Sequence, residues 1–486
     1  MIIQTSMIAT IICGCGADGE RLRGTVKSAA SGDSAGIGES TTVGKPDKAW
    51  RYLNYDVLGS RVYPYPSKPM GECEFELTEK GTPRTGYQYS RNLLAGDIDD
   101  DDTMEICMSY FQEIIIYNPE LSIVRSIVIR ANATLSLLQD YDGDGGFDIA
   151  VGSMEEYDPE AIIFNSKGDT LWRQEIACKN KSNIAPRLIL PDKDLIAVIS
   201  IGYGRRVQRG LARFEARSGE QQWSYGIGSG LDMVSAADID GDGIMEISLF
   251  TGSPENGNVG HGGPYGGTTT YDDCSYTIII DENGKEEYTI RETSKRNDGY
   301  TAKFVTLREN GPYSLLCYTN MSSNLRPATT SKIMIRKATN GSLMKTFYGK
   351  ASYSFEVLAC DLDNDGVKEL IASNYSPFKN DAYFSEVQNY IITSELEVLR
   401  FTRDVPGRIT TANDLNGDGR IEFIFGTEGG LIIITDDHFN ELWRHDFNEV
   451  IRSNIIVVDA DLDGYNEIYL VTDTKICMIK ALPATE

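Results

Sequence analysis

Three observations predict an all-β fold, a β-propeller of four-stranded blades. Six acidic nine-residue segments recur in register along the 486-residue chain. Each lies between apolar runs with strand character, so the unit is strand, acidic loop, strand. A second hairpin follows several of these units. A four-stranded antiparallel unit repeated along a chain is the mark of a propeller blade. The predicted count is eight blades, with seven as the alternative.

The acidic segments carry oxygen-bearing side chains at positions 1, 3, 5 and 9. They are Asp97, Asp99, Asp101 and Glu105; Asp140, Asp142, Asp144 and Asp148; and Asp238, Asp240, Asp242 and Glu246. The other three are Asp361, Asp363, Asp365 and Glu369; Asp414, Asn416, Asp418 and Glu422; and Asp459, Asp461, Asp463 and Glu467. Gly holds position 6 except in the first, where Asp102 stands. Alternating carboxylates in a tight loop converge on one point, a Gly permits the turn, and a carboxylate at position 9 closes a cage. Ca2+ takes six to eight oxygens and fits this set, so the expected cofactor is calcium, up to about six ions. An EF-hand is excluded, because position 12 is Met108, Val151, Leu249, Ala372, Phe425 or Leu470 rather than a bidentate Glu.

This strand, DxDxDGxxD/E loop, strand unit resembles the FG-GAP/VCBS repeat of integrin alpha-chain propellers and of many bacterial surface proteins. The resemblance implies a propeller and calcium binding. It does not specify a function.

The loops begin at residues 97, 140, 238, 361, 414 and 459, and the second and third intervals are about double the rest. Each long interval is expected to hide a unit without a cage, at 187–199 and at 304–316. Downstream hairpins carry Gly168 before Trp172, Gly219 before Trp223, and Gly284 before Tyr288. Trp50, Trp172, Trp223 and Trp443 occupy equivalent places and read as core. The last unit has a third strand at 476–479 and none after it. Residues 48–53 are expected to supply its fourth strand, closing the ring and removing an open edge.

Residues 1–15 read as an export segment, and Ile12 to Cys15 resembles a bacterial lipobox with Cys15 as the lipid-anchor position. Residues 16–46, rich in Gly, Ser, Ala and Thr, read as a flexible linker. Residues 47–486 read as one propeller. The expected location is the cell surface, outer membrane or periplasm, and the expected state is a monomer. The net charge of −26, from 46 Lys and Arg against 72 Asp and Glu, excludes a nucleic-acid partner held by bulk charge. No apolar run reaches the roughly 18 residues of a membrane span, which leaves the anchor as the expected membrane contact. The nine cysteines lack metal-site spacing, and Cys107, Cys317, Cys360 and Cys477 read as buried small hydrophobes.

In a meander of this kind the acidic turns share one face, and the other connections share the opposite one. The long connections there hold Tyr203, Arg205, Arg206 and Arg209; His261 and Tyr265; and Arg326. Arginine forks suit carboxylates and tyrosines suit sugar rings, so these are the candidate ligand-binding residues. The main functional expectation is a calcium-stabilised cell-surface module that binds glycan or protein. The first alternative is an enzyme on acidic glycans, by resemblance to eight-bladed polysaccharide lyases, with His261, a Tyr or a Lys as base. The second is a quinoprotein. The segment from Glu215 through Gly219 to Trp223 resembles the tryptophan-docking repeat of quinone dehydrogenases, in one blade.

Overall fold

Each acidic loop joins two strands that pair antiparallel, and two further strands extend the pair to four. A computed structural model describes residues 63–483 except 64, 71–72, 83–91, 111, 130–132, 154–159, 176–183, 191, 200–208, 229, 253–258, 261–269, 272, 294–298, 322–329, 352–353, 376–386 and 428. The described residues form eight such blades and no helix.

Blade 1 consists of Leu93–Gly96, Glu105–Tyr110, Glu113–Tyr117 and Ile123–Val128, here strands A to D. Blades 2 to 7 repeat this order over 133–175, 184–226, 230–293, 299–351, 354–402 and 408–446. The cage-less units predicted at 187–199 and 304–316 form the A–B hairpins of blades 3 and 5. A small ladder, Val259–Gly260 with Thr270–Tyr271, stands in the B–C connection of blade 4.

Burial follows position in the blade. Strands A to C are sandwiched between neighbouring blades, so their side chains are apolar on both faces, as in Glu105–Tyr110 and Leu195–Ile199. Strand D meets solvent, and its exposed apolar residues, such as Val128, Leu343 and Leu399, lie on the outer rim. Cys107, Cys317, Cys360 and Cys477 are buried among these layers.

Blade 8 is made from both ends of the described chain. Its inner strands are Ile456–Val458, Glu467–Val471 and Lys475–Pro483, and its fourth is Cys73–Gly81, in register from Cys73 opposite Pro483 to Gly81 opposite Lys475. Closure by an N-terminal strand therefore holds, but the strand is not 48–53, which lies outside the described residues. The closing strand alternates Cys73, Phe75 and Leu77 with Glu74, Glu76 and Thr78, the period of a strand with one packed face. Phe75 packs on Trp443 of blade 7 at 6.1 Å between ring centroids. On the inner side, the Asn454 amide accepts from Leu93 N at 2.8 Å and donates to Leu93 O at 3.0 Å, joining blade 8 to blade 1.

Candidate functional site

The six acidic loops share one hydrogen-bond plan. The position-1 carboxylate accepts backbone N–H groups from its own turn, as Asp238 does from Gly241 at 2.7 Å and Gly243 at 3.1 Å. The position-5 carboxylate accepts the N–H two residues on, as Asp242 does from Ile244 at 2.8 Å. One oxygen of position 9 accepts the position-2 N–H in every loop, from Ile98, Tyr141, Ile239, Leu362, Leu415 and Ala460, at 2.7 to 3.1 Å. These bonds hold the loop side chains in place while their oxygens converge. Ligand atoms of Asp97, Asp99 and Asp101, of Asp140, Asp142 and Asp148, of Asp238, Asp240 and Glu246, and of Asp361, Asp363 and Asp365 lie within 4.8 Å of one another.

The turn needs left-handed backbone at positions 4 and 6. Position 6 has φ of 73° at Asp102 and 101° at Gly145; position 4 has φ of 62° at Asp100 and 55° at Leu462. The position-6 glycines were legible in the sequence. The equal demand at position 4 was hidden, because Asp, Asn and Leu fill it as well as Gly.

Burial raises the pKa values of several loop carboxyls. Burial first, and then the neighbouring carboxylates, push Glu105 and Glu246 up to about 7, Asp148 to about 6 and Glu422 to about 8. A divalent cation is the natural compensation for such clusters.

A second constellation joins the blades. Trp172, on strand D of blade 2, donates Nε1–H to Ala216 O of blade 3 at 2.8 Å, and a Cβ on Gly219 would lie 2.6 Å from its ring. Trp223 donates to Glu282 O of blade 4 at 3.0 Å, and a Cβ on Gly284 would lie 3.0 Å from its ring. Tyr288 donates its hydroxyl to Ala338 O of blade 5, with the ring against Gly341. These side chains hold one register position on strand D, the one opposite Ile163, Arg213 and Ile279. The same position is Arg125 in blade 1 and Arg400 in blade 6, and each donates to the corresponding carbonyl of the next blade, Ser166 O and Asp437 O at 2.5 Å for the latter.

This row explains three of the turn glycines; Gly168, with φ of 89°, follows Arg125 and lies against Ile127 instead. Gly219, Gly284 and Gly341 have φ of 71°, 80° and 68°, and each receives an aromatic ring. The equivalent turn residues Leu396 and Phe439 keep positive φ, 63° and 67°, but the preceding blade carries Lys345 and Arg400 rather than an aromatic at the docking position, and each turn residue keeps a side chain. Ring stacking therefore demands Gly where an aromatic precedes. Arg125 and Arg400 were missed in the sequence; the available signal was their place four residues after a turn residue.

Of the candidate ligand residues, Tyr203, Arg205, Arg206, His261, Tyr265 and Arg326 lie outside the described residues. Arg209 is buried, and its guanidinium donates to Gly228 O at 2.5 Å. Trp172 is buried and Trp223 and Trp443 are half-buried; Trp50 lies outside the described residues.

No model of a known protein family matches the chain, and no curated protein matches it. Solved structures do. The quinohemoprotein alcohol dehydrogenase of Comamonas testosteroni superposes with a TM-score of 0.61 at 11% identity, over 90% of this chain and 81% of that one. A europium-containing methanol dehydrogenase gives 0.61 at 11% identity, over 90% of this chain and 98% of that one. The likeness is one of fold. It corrects the main functional expectation, a glycan- or protein-binding surface module: the solved structures it matches are an alcohol dehydrogenase and a methanol dehydrogenase. The second alternative had rested on docking in one blade. The docking row runs through three consecutive aromatic interfaces.

Proposed function

We propose that this chain is a quinoprotein-type β-propeller that holds a quinone redox cofactor near its axis and oxidises a small hydroxylated substrate. The observation that carries this reading is the docking row, with Trp172, Trp223 and Tyr288 seated on Gly219, Gly284 and Gly341. The likeness of fold to an alcohol and a methanol dehydrogenase supports it.

The side chains of the inner strands suit such a group. Arg187 and Lys303 are buried on the innermost strands of blades 3 and 5, in a chain of net charge −26. A quinone bearing carboxylates needs buried cations of this kind. Arg187 would hold it. Lys303 Nζ donates to Val357 O of blade 6 at 3.1 Å and lies 5.9 Å from the Tyr318 ring centroid, so it ties blades 5 and 6 together. When bound, the quinone supplies two-electron acceptance. The acidic loops of blades 1, 2, 4, 6 and 7, as repeats of the FG-GAP/VCBS type, would hold Ca2+ and tie strands A and B together.

The test is reconstitution. The purified protein is incubated with pyrroloquinoline quinone and Ca2+, and the reduction of an artificial dye by short primary alcohols is followed. The reading expects dye reduction that needs both quinone and alcohol and falls at least tenfold in Arg187→Ala. Dye reduction that is equal with and without quinone contradicts it.

A further inference from the structure

The acidic loop of blade 8 differs from the others in one respect: a cation is already built into it. Lys480 Nζ lies 2.8 Å from Asp461 Oδ2, 2.9 Å from Asp463 Oδ2 and 2.5 Å from Glu467 Oε1. These are the carboxylates of positions 3, 5 and 9, three of the four that would surround a metal. The lysine side chain is only 12% exposed. A compact ammonium with three donors matches three converging carboxylates.

The topology explains why this happens in one blade. Lys480 stands on strand C opposite the position-9 residue Glu467. In blade 4 the residue opposite Glu246 is Asp281. Continuing the strand registers by one step gives Asn118, Asn165, Thr393 and Asp436 in blades 1, 2, 6 and 7. Each of those five side chains is committed to the C–D turn. Asn165 accepts from Lys167 N and Asp169 N at 3.1 and 2.8 Å, and Asp281 from Asn283 N and Lys285 N at 2.9 and 2.8 Å. Thr393, Asp436 and Asn118 accept turn N–H groups in the same way. Blade 8 has no C–D turn, because its fourth strand is Cys73–Gly81 from the other end of the chain. The position is thereby released from turn duty and carries a lysine.

A second lysine covers the same loop. Lys68 N donates to Gly464 O at 2.7 Å, its ammonium donates to Asp463 O, and it lies 5.7 Å from the centroid of the Tyr465 ring. Ser67 N and Met70 N bond to Asp414 O and Asn416 O of blade 7 at 3.0 and 3.1 Å, which holds Lys68 in place.

We propose that Lys480 is the resident cation of the blade-8 loop, so that this loop takes no divalent metal and the blade that closes the ring is clasped without one. The proposal deepens the calcium reading of the other loops, and its test is scored on differences between variants so that the two can fail separately. Bound Ca2+ per chain is counted by equilibrium dialysis for the wild type, Lys480→Met and Asp461→Asn/Asp463→Asn. The expected result is one more ion in Lys480→Met than in the wild type, and an unchanged count in the double variant, which keeps the lysine and relieves two charges. If Lys480→Met does not fold, the double variant decides alone. A count one lower in the double variant, or no gain in a folded Lys480→Met, overturns the proposal. A wild-type count of zero would sink the calcium reading of the other loops while leaving the comparison with Lys480→Met to decide the role of the lysine.

Discussion

Trp172 and Gly219 form one fitted contact between blades 2 and 3: the indole lies where a Gly219 Cβ would approach it to 2.6 Å, and its Nε1–H bonds to Ala216 O beside that turn. Glycine is required there twice, by its φ of 71° and by the ring. Gly219→Ala is expected to cost about 2–5 kcal/mol, from roughly 1–2 for the left-handed residue and roughly 1–3 for overpacking. Gly143→Ala, at φ 83° with open space around it, should cost only the first part, about 1–2 kcal/mol. Denaturant unfolding of the two variants measures the difference, and equal losses would remove the stacking account.

Trp172→Phe keeps a ring on Gly219 but removes the donor to Ala216 O. The expected loss is about 1–2 kcal/mol, that of one buried hydrogen bond with its acceptor left unpaired. Trp223→Phe should behave alike, since its bond to Glu282 O is of the same kind at 3.0 Å. Both are read by the same denaturant curves.

Chelation is expected to lower the melting temperature, because each loop that binds Ca2+ adds about 2.7 kcal/mol when the ion stands at 100 times its Kd. Asp242→Ala removes one position of one cage and should abolish about one such contribution. Calorimetry with calcium and with chelator checks this; identical melting in the two would leave the loops as bare turns.

The pH dependence of the metal-free protein follows from the raised carboxyls. Glu105 and Glu246, pushed up to about 7, and Glu422, to about 8, hold protons in the folded state that they have lost in the unfolded state near pH 4.3. The folded state therefore binds more protons, and stability must fall as pH rises from about 4.3 to about 8. Calcium should flatten this slope, since it neutralises the same groups. Melting curves across that range, with chelator and with calcium, give the sign directly.

The closing strand is a separate test. A chain beginning at residue 83 lacks Cys73–Gly81 and leaves the Lys475–Pro483 edge unpaired. It is expected to aggregate, whereas a chain beginning at residue 63 should elute as a single species in size-exclusion chromatography. A monomeric product from residue 83 would show that closure does not depend on that strand.

The repeat fold was legible because the acidic loops mark every A–B turn except two, and the apolar runs beside those two kept strand character. The position of the closing strand was not. Trp50 resembles the docking tryptophans, while Cys73–Gly81 has only the alternation of Phe75 and Leu77 with charged neighbours, a weak signal over nine residues. The cation in the blade-8 loop was also invisible, since Lys480 meets Asp461 and Glu467 only through the pairing of strands. The docking row was half legible: Gly219 and Trp223 stood out, but Arg125 and Arg400 share their position without sharing their chemistry.

The central claim is tested most directly by equilibrium binding of pyrroloquinoline quinone to the purified protein in calcium, followed by the quinone absorbance in dialysis. The account predicts one quinone per chain, with binding weakened at least tenfold in Arg187→Ala. No saturable binding, with the protein folded and its calcium in place, would contradict it.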